Sequence, residues 1–188
     1  MLYYSNMIIL YYTLLCFLFF VMFFCLLFLL SPLFSLIPFV TVRKKVLNEI
    51  IRELNLDEKS ILYDLGCGDG RVLFAALKTN PDISCVGVEI SPFPFLLANT
   101  KKIFFNFKNI QILYGNFFKK DISPASHVFL YLFPKSLDEL LPKLEKELRV
   151  GSRVISCDFE FSKRKPDKIL ELQASTGQRN KRLYIYDF

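Results

Sequence analysis

Residues 61–71, ILYDLGCGDGR, set the tightest limit on what this chain can fold into. An apolar run of strand composition stops at Asp64 and passes into three glycines, Gly66, Gly68 and Gly70, that alternate with Cys67 and Asp69. A helical pattern, RVLFAALK, follows at once, so the stretch opens a strand–turn–helix unit. Glycine has no Cβ and allows both tight backbone conformations and close approach by a bound molecule. Dinucleotide loops space their glycines G-x-G-x-x-G and turn a helix N-terminus toward a pyrophosphate. Here the spacing is G-x-G-x-G and a carboxylate precedes it, which repels a pyrophosphate and attracts an ammonium or sulfonium group. No G-K-[ST] follows, so the loop is not a P-loop.

The rest of the chain extends this unit. VRKKVLNEIIRELNL (42–56) is an amphipathic helix with Val46, Leu47, Ile50, Ile51 and Leu54 on one face. SCVGVEI is a second strand, ending at Glu89, where an acid can accept both hydroxyls of a ribose. Ser91 and Pro92 suit the start of a helix running toward Phe107. NIQILYG and SHVFLYLF are the third and fourth strands, SLDELLPKLEKELR is a helix kinked at Pro142, and GSRVISCDFEF is the fifth strand. KILELQAS and KRLYIYDF, separated by TGQRN, read as an antiparallel hairpin. The alternation predicts an α/β fold, a mostly parallel sheet with helices on both faces, closed by that hairpin. Ligands of such sheets lie beyond the carboxyl ends of the strands. That rim gathers Asp64–Gly70, Glu89, Asn116 and Tyr131–Phe133.

Before this domain lies a segment of a different kind. No charged side chain occurs before Arg43, and Ile8–Leu30 is almost wholly apolar. As a helix it is about 35 Å long, enough to cross a bilayer core of about 30 Å. Pro32 and Pro38 are expected to end it. Tyr3, Tyr4, Tyr11 and Tyr12 cluster at its N-terminal end, where such rings favour the headgroup level. A cleavable signal has a basic start, a shorter apolar run and a small-residue cleavage site, none of which is present. The expected organisation is an anchor and linker over 1–37 and a globular domain over 38–188. Arg43-Lys44-Lys45 follows the span directly, which places the domain on the cytoplasmic, or organellar matrix, side. The formal net charge of +6 therefore belongs wholly to the domain. It suits anionic lipid, nucleic acid or plain solubility. With one histidine and no C-x-x-C among five cysteines, a metal site is not expected.

DLGCGDG, the acid of GVEIS, YGNFF and SHVFLYLFP together resemble the motifs of the Rossmann-like S-adenosylmethionine (SAM) dependent methyltransferases. The resemblance implies that Asp64 binds the amino group of the methionine part. It places Gly66, Cys67, Gly68, Asp69 and Gly70 in the cofactor loop, Glu89 on the ribose, and Asn116 and Phe117 at the adenine. Asn116 stands where the family often has Asp. Tyr131-Leu132-Phe133-Pro134 lacks the [DN]-P-P-[YFW] pattern of the nucleic-acid amino-methyltransferases, and no Pro-Cys pair is present, so nucleic acid is a weak candidate acceptor.

PFVTVRKKVLNEII leading into DLGCGDGR, with YLFPKSLDELLPKLEKELRVGSRVISCDFEF, is similar to the membrane-associated protein-lysine methyltransferases. These include the mitochondrial enzymes for the ATP synthase c-subunit and the adenine nucleotide translocase. By that likeness Pro38, Phe39 and Thr41 close over the methionine end, while Tyr131, Asp158 and Phe159 line the acceptor channel. The implied function is a membrane-anchored methyltransferase acting on a lysine amine of a membrane-associated protein. Two alternatives stay open: methylation of a lipid-phase small molecule such as a quinone precursor, and a non-catalytic SAM-binding membrane protein.

Overall fold

The computed structural model describes residues 2–34, 41–173 and 179–188, and divides into two compact units, Met1–Pro38 and Phe39–Phe188. Among its described residues the first contains one helix, α1 (Leu2–Phe34). Its stretch Asn6–Leu30, 25 residues with mean hydropathy 3.0, is long and apolar enough to cross a membrane, and none of it is buried within the protein. The helix runs two residues past Pro32. A proline in the last turn forfeits only one backbone bond there, so it does not stop the helix where the sequence suggested. Pro38 lies outside the described residues.

The second unit is a seven-stranded sheet. Its strands are β1 (Ile61–Leu65), β2 (Ser84–Glu89), β3 (Ile110–Tyr114), β4 (His127–Leu130), β5 (Arg153–Cys157), β6 (Lys168–Glu171) and β7 (Arg182–Asp187). They lie in the order β3-β2-β1-β4-β5-β7-β6. β1 to β5 are parallel, and β7 runs antiparallel between β5 and β6. The order reverses between β1 and β4, which makes the carboxyl end of β1 the switch point.

Side chains alternate between the two faces of each strand, and so build two cores. Leu62, Cys85, Phe129, Ile155, Leu183 and Ile185 pack with α2 (Leu47–Leu54) and α3 (Arg71–Thr79). Tyr63, Leu65, Val128, Leu130, Val154, Tyr184 and Tyr186 pack with α5 (Pro134–Glu147). A remaining helix, α4 (Pro92–Phe104), adds Ala98 to the first core.

Several helix ends differ from the sequence reading. The helix read over 42–56 becomes a 3-10 turn, Lys44–Val46, followed by α2 from Leu47 to Leu54. α4 stops at Phe104 because Asn106 takes a left-handed backbone (φ 51°) that turns the chain toward β3. α5 begins at Pro134, whose fixed φ suits a first helical position after the extended Phe133. β4 ends at Leu130, which leaves Tyr131, Leu132 and Phe133 free of the ladder at the rim.

Gly87, inside β2, is demanded by packing. A Cβ there would lie 2.7 Å from the Cys67 sulfur and 2.8 Å from Leu73 Cδ1. Gly87→Ala should therefore cost about 1–3 kcal/mol through overpacking. Thermal unfolding should show a clear drop in Tm, and adding Cys67→Ala should return part of it. An unchanged Tm would contradict this packing account.

Candidate active site

The rim is assembled by neighbouring strand ends. Gly66 N–H and Cys67 N–H both donate to the Val88 carbonyl, at 2.8 and 3.1 Å, so the loop after β1 is stitched to the end of β2. The three loop glycines all take left-handed backbone angles (φ 86°, 57° and 75°), which L side chains adopt only under strain. At Gly66 a Cβ would also press on Leu132 at 3.2 Å.

Glu89 closes the cradle. It is buried, and its two carboxylate oxygens accept the Gly68 and Ser91 backbone N–H groups at 2.8 and 2.7 Å. Each oxygen keeps a lone pair for a further donor. Ser91 sits at the N-cap position, but its side chain makes no cap bond.

Asp64, at the carboxyl end of β1, is buried among acids. Burial first, then the Glu89 and Asp69 charges, hold its carboxyl well above the ordinary range. Asp69 is the opposite case. Burial would raise it, but the Arg71 guanidinium, bidentate at 2.8 and 3.0 Å, and Lys101 Nζ at 2.6 Å hold it below the ordinary range. The sequence placed Asp69 in the cofactor loop; its carboxylate is the anchor for two cations. Their charge is thereby directed at Asp69, and no cation among the described residues pairs with Asp64.

A hollow beside this cradle is lined by Asp64, Gly66, Gly68, Thr41, Phe129 and Tyr131, among others. Thr41 to Arg43 form a strap along it, held at two points. Arg71 Nη1 donates to the Val42 carbonyl at 2.6 Å, and Asn180 Oδ1 accepts the Arg43 N–H at 3.0 Å. Pro38 and Phe39, expected beside Thr41, lie outside the described residues.

Beyond the end of β4, Tyr131 Oη donates to Asp158 at 2.9 Å. Asp158 also accepts the Asn180 and Lys181 N–H groups, both at 2.6 Å, and has a left-handed backbone (φ 65°). Its carboxylate thus joins Tyr131 to the start of β7. Phe159 packs its side chain against the second core, with its ring 6.1 Å from that of Phe133. Burial first, then Asp158, push the Tyr131 phenol up, so it stays protonated at neutral pH.

Asn116 and Phe117 follow β3. Asn116 Oδ1 caps the short turn Phe117–Lys119 by accepting the Phe118 N–H at 2.9 Å, and Phe117 is buried against the second core. Neither lines the hollow. Cys67, Cys85 and Cys157 are buried thiols; burial raises all three, Cys85 to about 12, so none is a ready nucleophile. Burial, with Arg153, lowers His127, which shares a bond with the Ser126 hydroxyl at 2.9 Å, away from the rim. Among the described residues no cluster of His, Cys, Asp or Glu could hold a metal ion.

Arg71 and Asn180 were not singled out from sequence. Arg71 follows the glycines directly and was open to notice. Asn180 lies 137 residues from Arg43 in a stretch that reads as a plain turn. Asn180→Ala leaves the Arg43 amide without its acceptor, at about 1 kcal/mol. Hydrogen exchange at Arg43 should quicken several-fold in Asn180→Ala and return toward the original rate in Asn180→Asp, which keeps the acceptor. Equal rates in all three would dismiss the clamp.

Comparison with known proteins agrees with this geometry. Residues 64–168 match the family described as ANTKMT methyltransferase domain. A protein-lysine N-methyltransferase of Saccharolobus islandicus is 36% identical over 80% of this chain and 92% of its own length. The mouse lysine N-methyltransferase of the ATP synthase c-subunit is 29% identical over 80% of this chain, which spans 58% of that relative. Among solved structures, an RNA methyltransferase from Salinibacter ruber in complex with S-adenosyl-L-homocysteine superposes with TM-score 0.72 at 31% identity. That match covers 79% of this chain and 93% of the other. With this rim, this strand order and a match over more than half its length, the chain belongs to the ANTKMT methyltransferase domain family.

Proposed function

We propose that the chain is a membrane-anchored, SAM-dependent methyltransferase that modifies a lysine amine of a membrane-associated protein. The observation that carries the cofactor reading is Asp64: a carboxyl raised by burial first and then by two neighbouring acids, on the wall of the hollow. A cationic ligand relieves that repulsion, whereas a diphosphate adds to it. The residues fit SAM. Asp64 would take its ammonium or sulfonium end and the free lone pairs of Glu89 its ribose hydroxyls; Asn116 and Phe117, which stand outside the hollow, reach the adenine side by the family resemblance alone. Bound there, SAM supplies a methyl group already activated on a positive sulfur.

The protein's own task is then alignment and dryness. A lysine amine must lose its proton before it can attack, since its ordinary pKa is about 10.4. Tyr131 gives its hydrogen to Asp158, so only its lone pairs face the hollow, where they orient an incoming amine by accepting its N–H. Because the phenol holds its own proton, it is a positioning group and not the base. Asp158 fixes the angle of that phenol, and Phe159 and Phe133 exclude water. Tyr131→Phe should lower kcat about tenfold or more, in line with one lost orienting bond, while the dissociation constant for SAM stays unchanged. Equal loss of binding and turnover would remove Tyr131 from the acceptor side.

Support for a lysine acceptor comes from the Saccharolobus relative, which this chain matches over most of both lengths. Support for the anchor comes from the length and apolarity of Asn6–Leu30. RNA is the second reading, favoured by the Salinibacter structure and the net charge of +6. Transfer of tritiated methyl from SAM, in membranes from the native source, separates the cases. Label in protein, recovered as methyl-lysine after hydrolysis, is expected. Label in the lipid extract or in RNA would overturn the lysine assignment, and tight binding without transfer would make the protein a sensor.

A further inference from the structure

We infer that the outer face of α4 and the turn after it form a second membrane contact, docking the domain edge-on to an anionic bilayer. Globular helices hide their apolar stripe, but α4 buries only Pro94 and Ala98. Leu96, Thr100, Ile103 and Phe104 fall on one helical face, and that face is open to solvent. Ile103 and Phe104 are 77% and 80% exposed, and Phe105 continues the patch.

Charge decides the occupant. From Ile90 to Asn109 the sequence contains Lys101, Lys102 and Lys108 and no acid. Lys101 is paired with Asp69, which leaves Lys102 and Lys108 beside the patch, and Lys78 adds a third cation, 5.7 Å from the Phe105 ring centre. Apolar side chains ringed by lysine, without acids, are the pattern of a helix lying in the headgroup boundary. Interfaces between proteins are instead depleted in lysine. The proposal deepens the anchored reading above: α1 would hold the chain at the bilayer, and α4 would set how the domain faces it.

The chain has no tryptophan, so Phe104→Trp gives a single reporter at an exposed position. Full-length protein is reconstituted in vesicles of phosphatidylcholine with phosphatidylserine, with and without brominated acyl chains. The expected result is a blue-shifted emission that loses most of its intensity to bromine, and that recovers in Lys102→Gln/Lys108→Gln or in high salt. Val150→Trp, at a fully exposed residue, supplies the comparison and should stay unquenched. Three results would overturn the inference: an unquenched indole on protein that floats with the vesicles, a blue shift without bromine quenching, which means a protein cover, or equal quenching at position 150. Protein that fails to float with the vesicles overturns the anchor as well, so the two readings fail separately.

Discussion

Glu89→Gln should bind SAM at least a hundredfold more weakly than the unaltered protein, and nearly as poorly as Glu89→Ala. The usual expectation for a ribose-binding acid is that glutamine, which keeps one oxygen, is a mild change. Here both oxygens already accept backbone N–H groups, from Gly68 and from Ser91. An amide must turn its NH2 toward one of those donors. That leaves a buried N–H unsatisfied, at about 1–3 kcal/mol, and removes charge-assisted bonds to the ribose worth a further 1.5–3 kcal/mol or so. About 3 kcal/mol in total is already more than a hundredfold in affinity. Calorimetric titration with SAM measures it. If glutamine binds within tenfold of the unaltered protein, Glu89 does not both brace the loop and hold the ligand.

The second large effect separates function from stability. Asp64→Asn should make the ligand-free protein more stable at neutral pH and at the same time weaken SAM binding at least tenfold. A carboxyl whose folded pKa is raised contributes stability that is fully present below its unfolded value, near 3.9, and is lost as pH rises through the folded value. Burial and the Glu89 and Asp69 charges raise Asp64, so the ionised form strains the folded domain. Asparagine removes that penalty. A gain of even 1 kcal/mol raises Tm by about 2–4 °C in a domain of this size. The unaltered protein should bind SAM more tightly as pH rises through the Asp64 pKa, because only the carboxylate attracts the ligand's positive end. Asp64→Asn should flatten that limb of the profile. A variant that is both less stable and unchanged in affinity would remove Asp64 from the ligand's path.

These two residues were legible from sequence because the features that mark them are local. Asp64 stands two residues before the first glycine, and Glu89 closes the next strand. The fold brings both to one cradle, and the sheet is parallel over β1 to β5 with an antiparallel pair at its edge, as the alternation of strands and helices and the final hairpin implied. What the sequence hid is set by distant contacts. The strap depends on Asn180 and Arg71, which meet it from 137 and 29 residues away. Lys101 reaches Asp69 across 32 residues. Cys67, placed in the cofactor loop by the resemblance, is buried against the space that Gly87 leaves empty. Asn116 reads as a ligand for adenine, yet its oxygen also has a local duty as a cap. Side chains with a short-range backbone partner cannot be told from ligands by residue type alone.

The place of β7 has a consequence for synthesis. Asp158, Tyr131 and the Arg43 amide all rely on Asn180 and Lys181, the residues that lead into the strand inserted between β5 and β6. A nascent chain that has emerged only as far as β6 already holds Asp64, the glycines and Glu89, but nothing yet braces the phenol or ties down the strap. The ribosome therefore delivers Asp64, the glycines and Glu89 well before the residues that brace Tyr131 and the strap, and that brace forms only when β7 pairs with β5.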